Sequence, residues 1–246
     1  MVDIKMDNCK NILPLSLLLS FIFLSTGCIK NESDLISQDC SSHCATLNGN
    51  ITTGNGLIPF KNRDIEVIWK NTIYLGGGVI RTKAKTKTDD SGYYELNFKV
   101  REDEMESGYF MIKIPIDQNY LICGSNESYH RFAFFELKND TTITTNYGIP
   151  YKATLKVNSN GASKLADHDY FSFTTMSPTG INFDSHCGTI IDWSNKNPDQ
   201  EYIIDVAAEQ PVIVRMGIRK GDQYFSKSDT LRLEIGEKLD YIVEFD

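Results

Sequence analysis

The fold class of this 246-residue chain is decided by residues 79–100, VIRTKAKTKTDDSGYYELNFKV. Small or apolar side chains alternate with basic ones before the DDSG segment, and aromatic or aliphatic side chains alternate with polar ones after it. A period of two places successive side chains on opposite faces of a strand. Two such runs joined by a short loop that contains glycine are typical of a β-hairpin.

The register of this hairpin follows from matching its faces. A three-residue loop, Asp90-Ser91-Gly92, would set Thr88 opposite Tyr94 and keep the apolar faces of the two strands together. Such a loop commonly ends in a left-handed residue, a conformation that glycine adopts without steric cost, so we predict a positive φ at Gly92. The basic side chains of the first strand then form a solvated face or, alternatively, a polyanion-binding strip: Arg81, Lys83, Lys85 and Lys87.

The remainder of the chain repeats this pattern. Alternating runs are found near residues 65, 94, 212, 231 and 241, and clusters of Gly, Asn and Pro separate many of them. Short alternating strands between such turns indicate antiparallel sandwiches. We predict an all-β protein with two consecutive antiparallel β-sandwich domains, at residues 45–146 and 147–246, and with no long helix.

The first of these predicted domains resembles a known family. Residues 56–69 and 86–98, GLIPFKNRDIEVIW and TKTDDSGYYELNF, are similar to the carboxypeptidase regulatory-like, or transthyretin-like, β-sandwich. The resemblance covers about residues 45–137, and it implies a seven-stranded sandwich that has no catalysis of its own. The motif positions are occupied by Gly56, Pro59, Thr88, Asp89, Gly92 and Tyr94.

The start of the chain has the features of an export signal. The apolar run at residues 12–24 follows Lys5 and Lys10. It is shorter than the roughly 20 residues that span a bilayer, but it fits the apolar region of a signal peptide. The run ends in LSTGC at residues 24–28, which resembles the looser lipobox of Bacteroidetes-type lipoproteins. The alternative is an ordinary signal peptide with a chance cysteine.

The lipobox resemblance implies acylation of Cys28 and removal of residues 1–27 as a lipoprotein signal peptide. Several acyl chains give a stable membrane anchor, whereas a single chain holds only marginally. The protein is therefore expected in the cell envelope, anchored to the outer membrane by lipid. Residues 28–44 are polar and lack a clear period, so we predict a tether there, with a helical turn or two after residue 34.

Four cysteines follow the predicted anchor: Cys40, Cys44, Cys123 and Cys187. The envelope permits disulfides, and these four cysteines allow three connectivities that remain open at this point. His43 lies between two of them, but a zinc site needs about four ligands, usually in two spaced pairs, and no second close pair is present. We predict no metal and no other cofactor.

The overall charge excludes one class of partner. The net charge is −8, whereas nucleic-acid binding needs a basic surface stripe. Apolar residues make up 41% of the chain and aromatic residues 11%, which is enough to form real cores. The composition therefore predicts a globular protein that does not bind nucleic acid.

Catalytic equipment is sparse in the sequence. The histidines lie in no recognisable motif, and no glycine-rich phosphate loop is present. His186 and Cys187 are adjacent, so on a strand they would point to opposite faces and not pair as base and nucleophile. We predict a non-enzymatic module that binds glycan or envelope-protein partners. The alternative is an accessory or degenerate envelope hydrolase with two carboxylates in an interdomain cleft.

Three residues are candidates for binding or modification. Trp193 lies in a turn-rich polar segment and is the best candidate for stacking against a sugar, the alternative being a tryptophan folded over the end of the sandwich. Thr141 and Thr230 each follow an aspartate, in triplets that resemble the O-glycosylation sites of Bacteroidetes envelope proteins. Trp69, in contrast, alternates with apolar residues and is predicted to lie in the core.

Overall fold

The computed structural model describes residues 27–72, 76–124 and 127–244, so the predicted signal segment before residue 27 lies outside it. The strands in chain order are β1 Gly27–Ser33, β2 Ala45–Thr53, β3 Ile58–Pro59, β4 Asp64–Thr72, β5 Gly76–Lys87, β6 Tyr93–Phe98, β7 Tyr109–Pro115, β8 Tyr129–Phe134, β9 Thr142–Thr144, β10 Tyr147–Gly148, β11 Tyr151–Asn160, β12 Tyr170–Ile181, β13 Ser185–Cys187, β14 Ile190–Trp193, β15 Tyr202–Ala208, β16 Pro211–Lys220, β17 Gln223–Arg232 and β18 Lys238–Glu244. The helices are α1, Glu102–Glu106, and the 3₁₀ turns Leu35–Asp39 and Ala162–Lys164.

These strands form three sheets. The first has the order β1-β5-β4-β7-β8, and the third has the order β15-β11-β18. The second follows the path β17-β16-β12-β10-β2-β3, with β13 and β14 beside β12 and with β6 and β9 beside β2. The predicted all-β sandwich class is confirmed. Most pairings are antiparallel, but β1 with β5, β2 with β9, β2 with β10, and β11 with β18 are parallel.

Two hydrophobic clusters form the interior. The first collects the inward faces of β2, β4, β6 and β7, including Trp69 and Phe98. The second lies among β11, β12, β14, β15 and β16 and includes Leu155 and Phe173. The division at residues 146 and 147 stays a prediction, because β10 pairs with β2 on one side and with β12 on the other. Hydrogen bonding between strands therefore continues through this point.

The predicted β5–β6 hairpin is wrong in its pairing. β5 pairs with β4 and β1 in the first sheet, whereas β6 pairs with β2 in the second. The turn between them carries the chain from one layer of the sandwich to the other. Its local geometry is as predicted, since Gly92 has a φ of 78° and its N–H donates to the Asp89 carbonyl at 3.0 Å. Matching the apolar faces of β5 and β6 could not distinguish the two arrangements. Two apolar faces meet in paired strands of one sheet, and they also meet when the strands lie in opposite sheets around one core.

The predicted tether is also corrected. Residues 27–33 form β1, which adds to the first sheet in parallel with β5. The following 3₁₀ turn is held against the sandwich: the Ser37 hydroxyl donates to the Lys83 carbonyl at 3.0 Å, and the Lys99 N–H donates to the Ser37 carbonyl at 3.0 Å. This polar segment can pack against the sandwich because its buried polar groups form hydrogen bonds with backbone groups of the sandwich.

The same contact overturns the solvated basic face on β5. Lys85 and Lys87 are exposed as predicted, but Arg81 and Lys83 are buried. Asp34, directly before the 3₁₀ turn, and Glu104 of α1 bring carboxylates to the two buried cations. Half of the basic stripe therefore belongs to an internal ion-pair cluster.

The disulfides join Cys40 to Cys44 and Cys123 to Cys187. The thiols that flank His43 are thus bonded to each other, and His43 Nδ1 lies 2.8 Å from Asp140 Oδ2. No group of residues able to hold a metal ion occurs within residues 27–72, 76–124 and 127–244. In the same ranges, no helix is long and apolar enough to span a bilayer.

Candidate functional site: a cleft where the two halves meet

A cleft of about 360 Å³ lies where the first and second halves of the chain come together. Strand β8 supplies one wall through Tyr129, His130 and Arg131. The end of β12 and strand β13 supply the other, including Ser185 and His186. Tyr147 of β10, the short strand that connects the two halves, also faces the cleft. The site thus depends on strands that are distant in sequence.

The most buried polar pair in this cleft is His130 with Tyr147. The Leu121 carbonyl lies 2.7 Å from His130 Nε2, and since a carbonyl only accepts, Nε2 carries the hydrogen. Nδ1 is then the acceptor for the Tyr147 hydroxyl at 3.3 Å. Burial lowers the pKa of His130, and the bond to Leu121 offsets part of that effect. Burial also raises the pKa of Tyr147 to about 12.

Both side chains are therefore neutral at physiological pH, and both nitrogens of His130 are in use. A general base needs a free lone pair within reach of the proton that it removes. His130 has no such lone pair, so its role in the cleft is to hold β8, the segment around Leu121 and β10 together.

The charged groups of the cleft are partly paired. Arg131 Nη1 lies 3.2 Å from Glu127 Oε1, at the edge of the cavity. The Lys113 ammonium lies 4.5 Å from the ring centroid of Tyr129 and covers one face of that ring. Among the described lining residues, Glu127 supplies the only carboxylate. Glycoside hydrolysis normally requires two.

The Cys123–Cys187 disulfide joins the two walls. Cys123 lies on the cleft surface, and Cys187 belongs to β13, directly after His186. The sulfur of Cys187 is therefore not a free nucleophile, and the prediction that His186 and Cys187 do not act as a catalytic pair agrees with this arrangement. The disulfide is one feature that sequence reasoning left open and that the structure places at the site.

Trp193 does not belong to any exposed site. Its side chain is 0% exposed, its Nε1–H donates to the Gln200 carbonyl at 2.8 Å, and its ring packs against Phe171 and Tyr202. The prediction that it stacks against sugar is wrong, and the alternative of a buried tryptophan holds. The polar segment after Trp193 suggested an exposed ring. Residues 194–200 instead fold back over the indole, and the Gln200 carbonyl accepts a hydrogen bond from its only donor.

The other predicted site residues remain predictions. Thr230 lies on the exposed strand β17, and Thr141 is half-buried beside β9. The backbone of Cys28 lies in β1.

No protein-family model matches the chain, and no curated protein matches it. Several solved structures align at low similarity. The shaft pilin SpaA from Lactobacillus rhamnosus GG has a TM-score of 0.29 and 7% identity, covering 84% of this chain and 98% of the pilin.

Two further pilins align in the same way. The major pilin SpaD from Corynebacterium diphtheriae has a TM-score of 0.25 and 7% identity, covering 76% of this chain and 64% of that one. A streptococcal ancillary pilin has a TM-score of 0.26 and 8% identity, covering 82% of this chain and 63% of that one. TM-scores this low carry no argument about architecture or function.

Proposed function

We propose that this protein is a lipid-anchored component of the bacterial cell envelope that binds a glycan or protein partner and catalyses no reaction. The observation that supports binding is the junction cleft, which both halves of the chain build and which rings and hydrogen-bonding groups line. Concave sites with a few convergent polar groups are the usual form of a ligand pocket. Anchoring rests on the LSTGC segment ending at Cys28.

The finer family assignment forms part of this proposal. The motif that resembles carboxypeptidase regulatory-like domains falls on structural positions. Asp89 Oδ1 accepts the N–H groups of Ser91 and Tyr93, at 2.8 and 2.9 Å, and the buried Tyr94 donates its hydroxyl hydrogen to the Thr145 carbonyl at 3.0 Å. Such roles are compatible with an accessory sandwich, and they supply no reacting group.

The cleft favours a neutral or weakly charged polar ligand. Tyr129 presents a ring to it, and His186 is an exposed side chain on the opposite wall. Aromatic rings pack against the apolar faces of sugars, while imidazole and guanidinium groups donate hydrogen bonds to hydroxyls. A hydrolase would need a second carboxylate near Glu127, which the described lining does not contain.

The test is binding by the full-length protein in detergent micelles. A glycan array identifies ligands, and calorimetry with any ligand found should give a dissociation constant in the millimolar to micromolar range, about −4 to −8 kcal/mol. His186→Ala should weaken binding roughly tenfold, equal to about 1.4 kcal/mol.

The matched control is His168→Ala, an exposed histidine outside the cleft lining. It should bind like the wild type. Equal affinity of the His186→Ala variant and the wild type would remove the cleft from the binding site. Turnover of a glycan, ester or peptide that is lost in Glu127→Gln would replace the binding proposal with the hydrolase alternative.

A further inference from the structure

The ion-pair cluster between β1, β5 and α1 contains an unusually complete burial of charge. The Lys83 side chain is 0% exposed, and the side chains of its two carboxylate neighbours, Asp34 and Glu104, are 3% and 0% exposed. Lys83 Nζ lies 2.5 Å from Asp34 Oδ2 and 2.8 Å from Glu104 Oε2. A lysine amine, an aspartate carboxyl and a second carboxylate therefore meet at a site where all three side chains are buried.

Strand pairing holds these groups in register. β1 runs parallel to β5 with Ser33 beside Thr82, so Asp34 and Lys83 are the next neighbours along the two chains. The Asp34 N–H donates to the Thr82 carbonyl at 2.8 Å, which continues the ladder to this point. The contact between Nζ and the carboxyl is thus imposed by adjacent backbones, and the side chains need no large movement to react.

Two arginines complete the site. The Arg101 guanidinium bonds both carboxyl oxygens of Asp34, with Nε 3.0 Å from Oδ2. Arg81 Nη1 lies 2.6 Å from Glu104 Oε1 and fixes that carboxylate. Although burial acts to raise the pKa of Asp34, the hydrogen bonds from Arg101 and Lys83 outweigh it, and the pKa is lowered. The starting state is therefore a buried ion pair in which Arg101 holds the Asp34 carboxylate in place.

We propose that Lys83 and Asp34 condense into an intramolecular amide, with Glu104 as the catalytic proton carrier. Glu104 takes one proton from the Lys83 ammonium and passes it to Asp34 Oδ2, so that a neutral amine faces a neutral carboxyl, and the lone pair of Nζ attacks Asp34 Cγ. The C–N bond forms, and the negative charge that develops on the other oxygen, Oδ1, faces Arg101. A second proton then passes from nitrogen to Oδ2, and the C–O bond breaks to release one water.

The step balances and needs no outside reagent. An ammonium and a carboxylate become a secondary amide and water, Glu104 ends as it began, and nothing is oxidised or reduced. Fixing both reactants in contact removes the entropic cost of bringing them together. Replacing two buried charges with a neutral amide also removes the desolvation penalty that a buried ion pair carries.

The bond would tie the start of the folded chain to its central sheet. β1 begins at Gly27, immediately before the predicted lipidation site. It is an edge strand, held to β5 by ladder hydrogen bonds and by the ion pair of Glu32 with Arg81, whose Oε2 and Nε lie 2.7 Å apart. If Cys28 is the anchor, which is part of the proposed function, tension from the membrane would reach β5 through a covalent link. The condensation itself does not depend on that function.

Peptide mapping of the purified full-length protein tests this proposal. Trypsin cleaves after Lys30 and Lys61 and after Arg81 and Lys85, so the linked product is residues 31–61 joined to residues 82–85. Its mass should be that of the two peptides less one water, after reduction of the disulfide. Lys83 should resist cleavage. Recovery of free peptide 31–61 from the wild type, in place of the linked product, would overturn the proposal.

Variants of Lys83, Asp34 and Glu104 test the role of each residue in the condensation. Lys83→Met and Asp34→Ala should yield only free peptides, while Lys85→Met, which changes an exposed neighbour on the same strand, should keep the link in a correspondingly longer peptide. Glu104→Gln preserves the shape of the site and should abolish or strongly slow the condensation. Its fold is checked by circular dichroism, and complete linkage in a folded Glu104→Gln variant would show that Glu104 is not the proton carrier.

Discussion

Backbone conformation and packing both require glycine at position 92. Its φ is 78°, and a Cβ placed there would lie 2.4 Å from the Ile51 carbonyl oxygen. We expect Gly92→Ala to lower the free energy of unfolding by about 3 kcal/mol, because left-handed strain of about 1–2 kcal/mol is added to a backbone clash. Urea unfolding measures the change.

Gly221→Ala is the matched control for this position. Gly221 has a φ of 60°, and a Cβ placed there would have nothing within 4 Å, so only the conformational strain remains. Its cost should be about 1 kcal/mol. Equal losses in the two variants would show that the contact with Ile51 does not determine the requirement for glycine at position 92.

His130 should make stability depend on pH. The folded state holds the neutral imidazole and has a lowered pKa, while the unfolded chain titrates near its ordinary value of about 6.5. Below that value the unfolded state binds more protons, so stability falls as the pH drops from 7.5 to 5.5. The slope is at most about 1.4 kcal/mol per pH unit.

Urea unfolding at several pH values in that window measures the slope, since carboxylates titrate mainly below it. His130→Gln should remove most of the dependence, and His168→Ala, at an exposed position, should retain it. An unchanged slope in His130→Gln would place the titrating group elsewhere.

At the scale of elements, the two disulfides should differ in their effect. Cys123–Cys187 spans 64 positions of sequence and joins the walls of the cleft, whereas Cys40–Cys44 spans 4. The loop-entropy relation gives about 4 kcal/mol for the long loop and about 2 kcal/mol for the short one. Paired cysteine-to-alanine variants, compared by urea unfolding, should follow that order. A larger loss from Cys40→Ala/Cys44→Ala would contradict it.

Residues 28–44 show why the packing of a whole segment is harder to predict from sequence than the conformation of one residue. Their polarity suggested a solvated tether, yet β1 is the edge strand of the first sheet and the 3₁₀ turn packs against that sheet. Asp34 and Ser37 are buried there because Lys83 and backbone groups satisfy them. Both residues contact Lys83, which lies nearly fifty positions away, so no local pattern could reveal that these polar groups are paired.

For the whole molecule, Cys28 should determine where the protein resides. Each buried methylene of an acyl chain contributes about 0.8 kcal/mol to membrane affinity, so removing the acylated thiol should release the protein. We expect Cys28→Ala to move to the soluble fraction after a high-salt wash, measured by fractionation and immunoblotting. Cys9→Ala, within the predicted signal peptide, is the control and should stay with membranes. Membrane retention of Cys28→Ala would contradict the lipoprotein proposal.

Local patterns were sufficient for the all-β class, the apolar faces of β4 and β6 and the turn at Gly92. Tyr94, Leu96 and Phe98 alternate in sequence and all point into the first core, as does Trp69. These properties depend on the period of a strand and on the conformational range of one glycine, which act over a few residues. The all-β sandwich class followed from them.

Only the tertiary structure decided which strands pair, which charges are buried and where a cleft forms. Alternation shows which face of β6 is apolar, but it does not show that β6 joins β2 instead of β5. The burial of Lys83 depends on carboxylates from two distant segments, and that of Trp193 on residues 194–200 folding back. The physical reason is that burial, pairing and cavities are set by contacts between segments, whereas periodicity and turn chemistry are set within one.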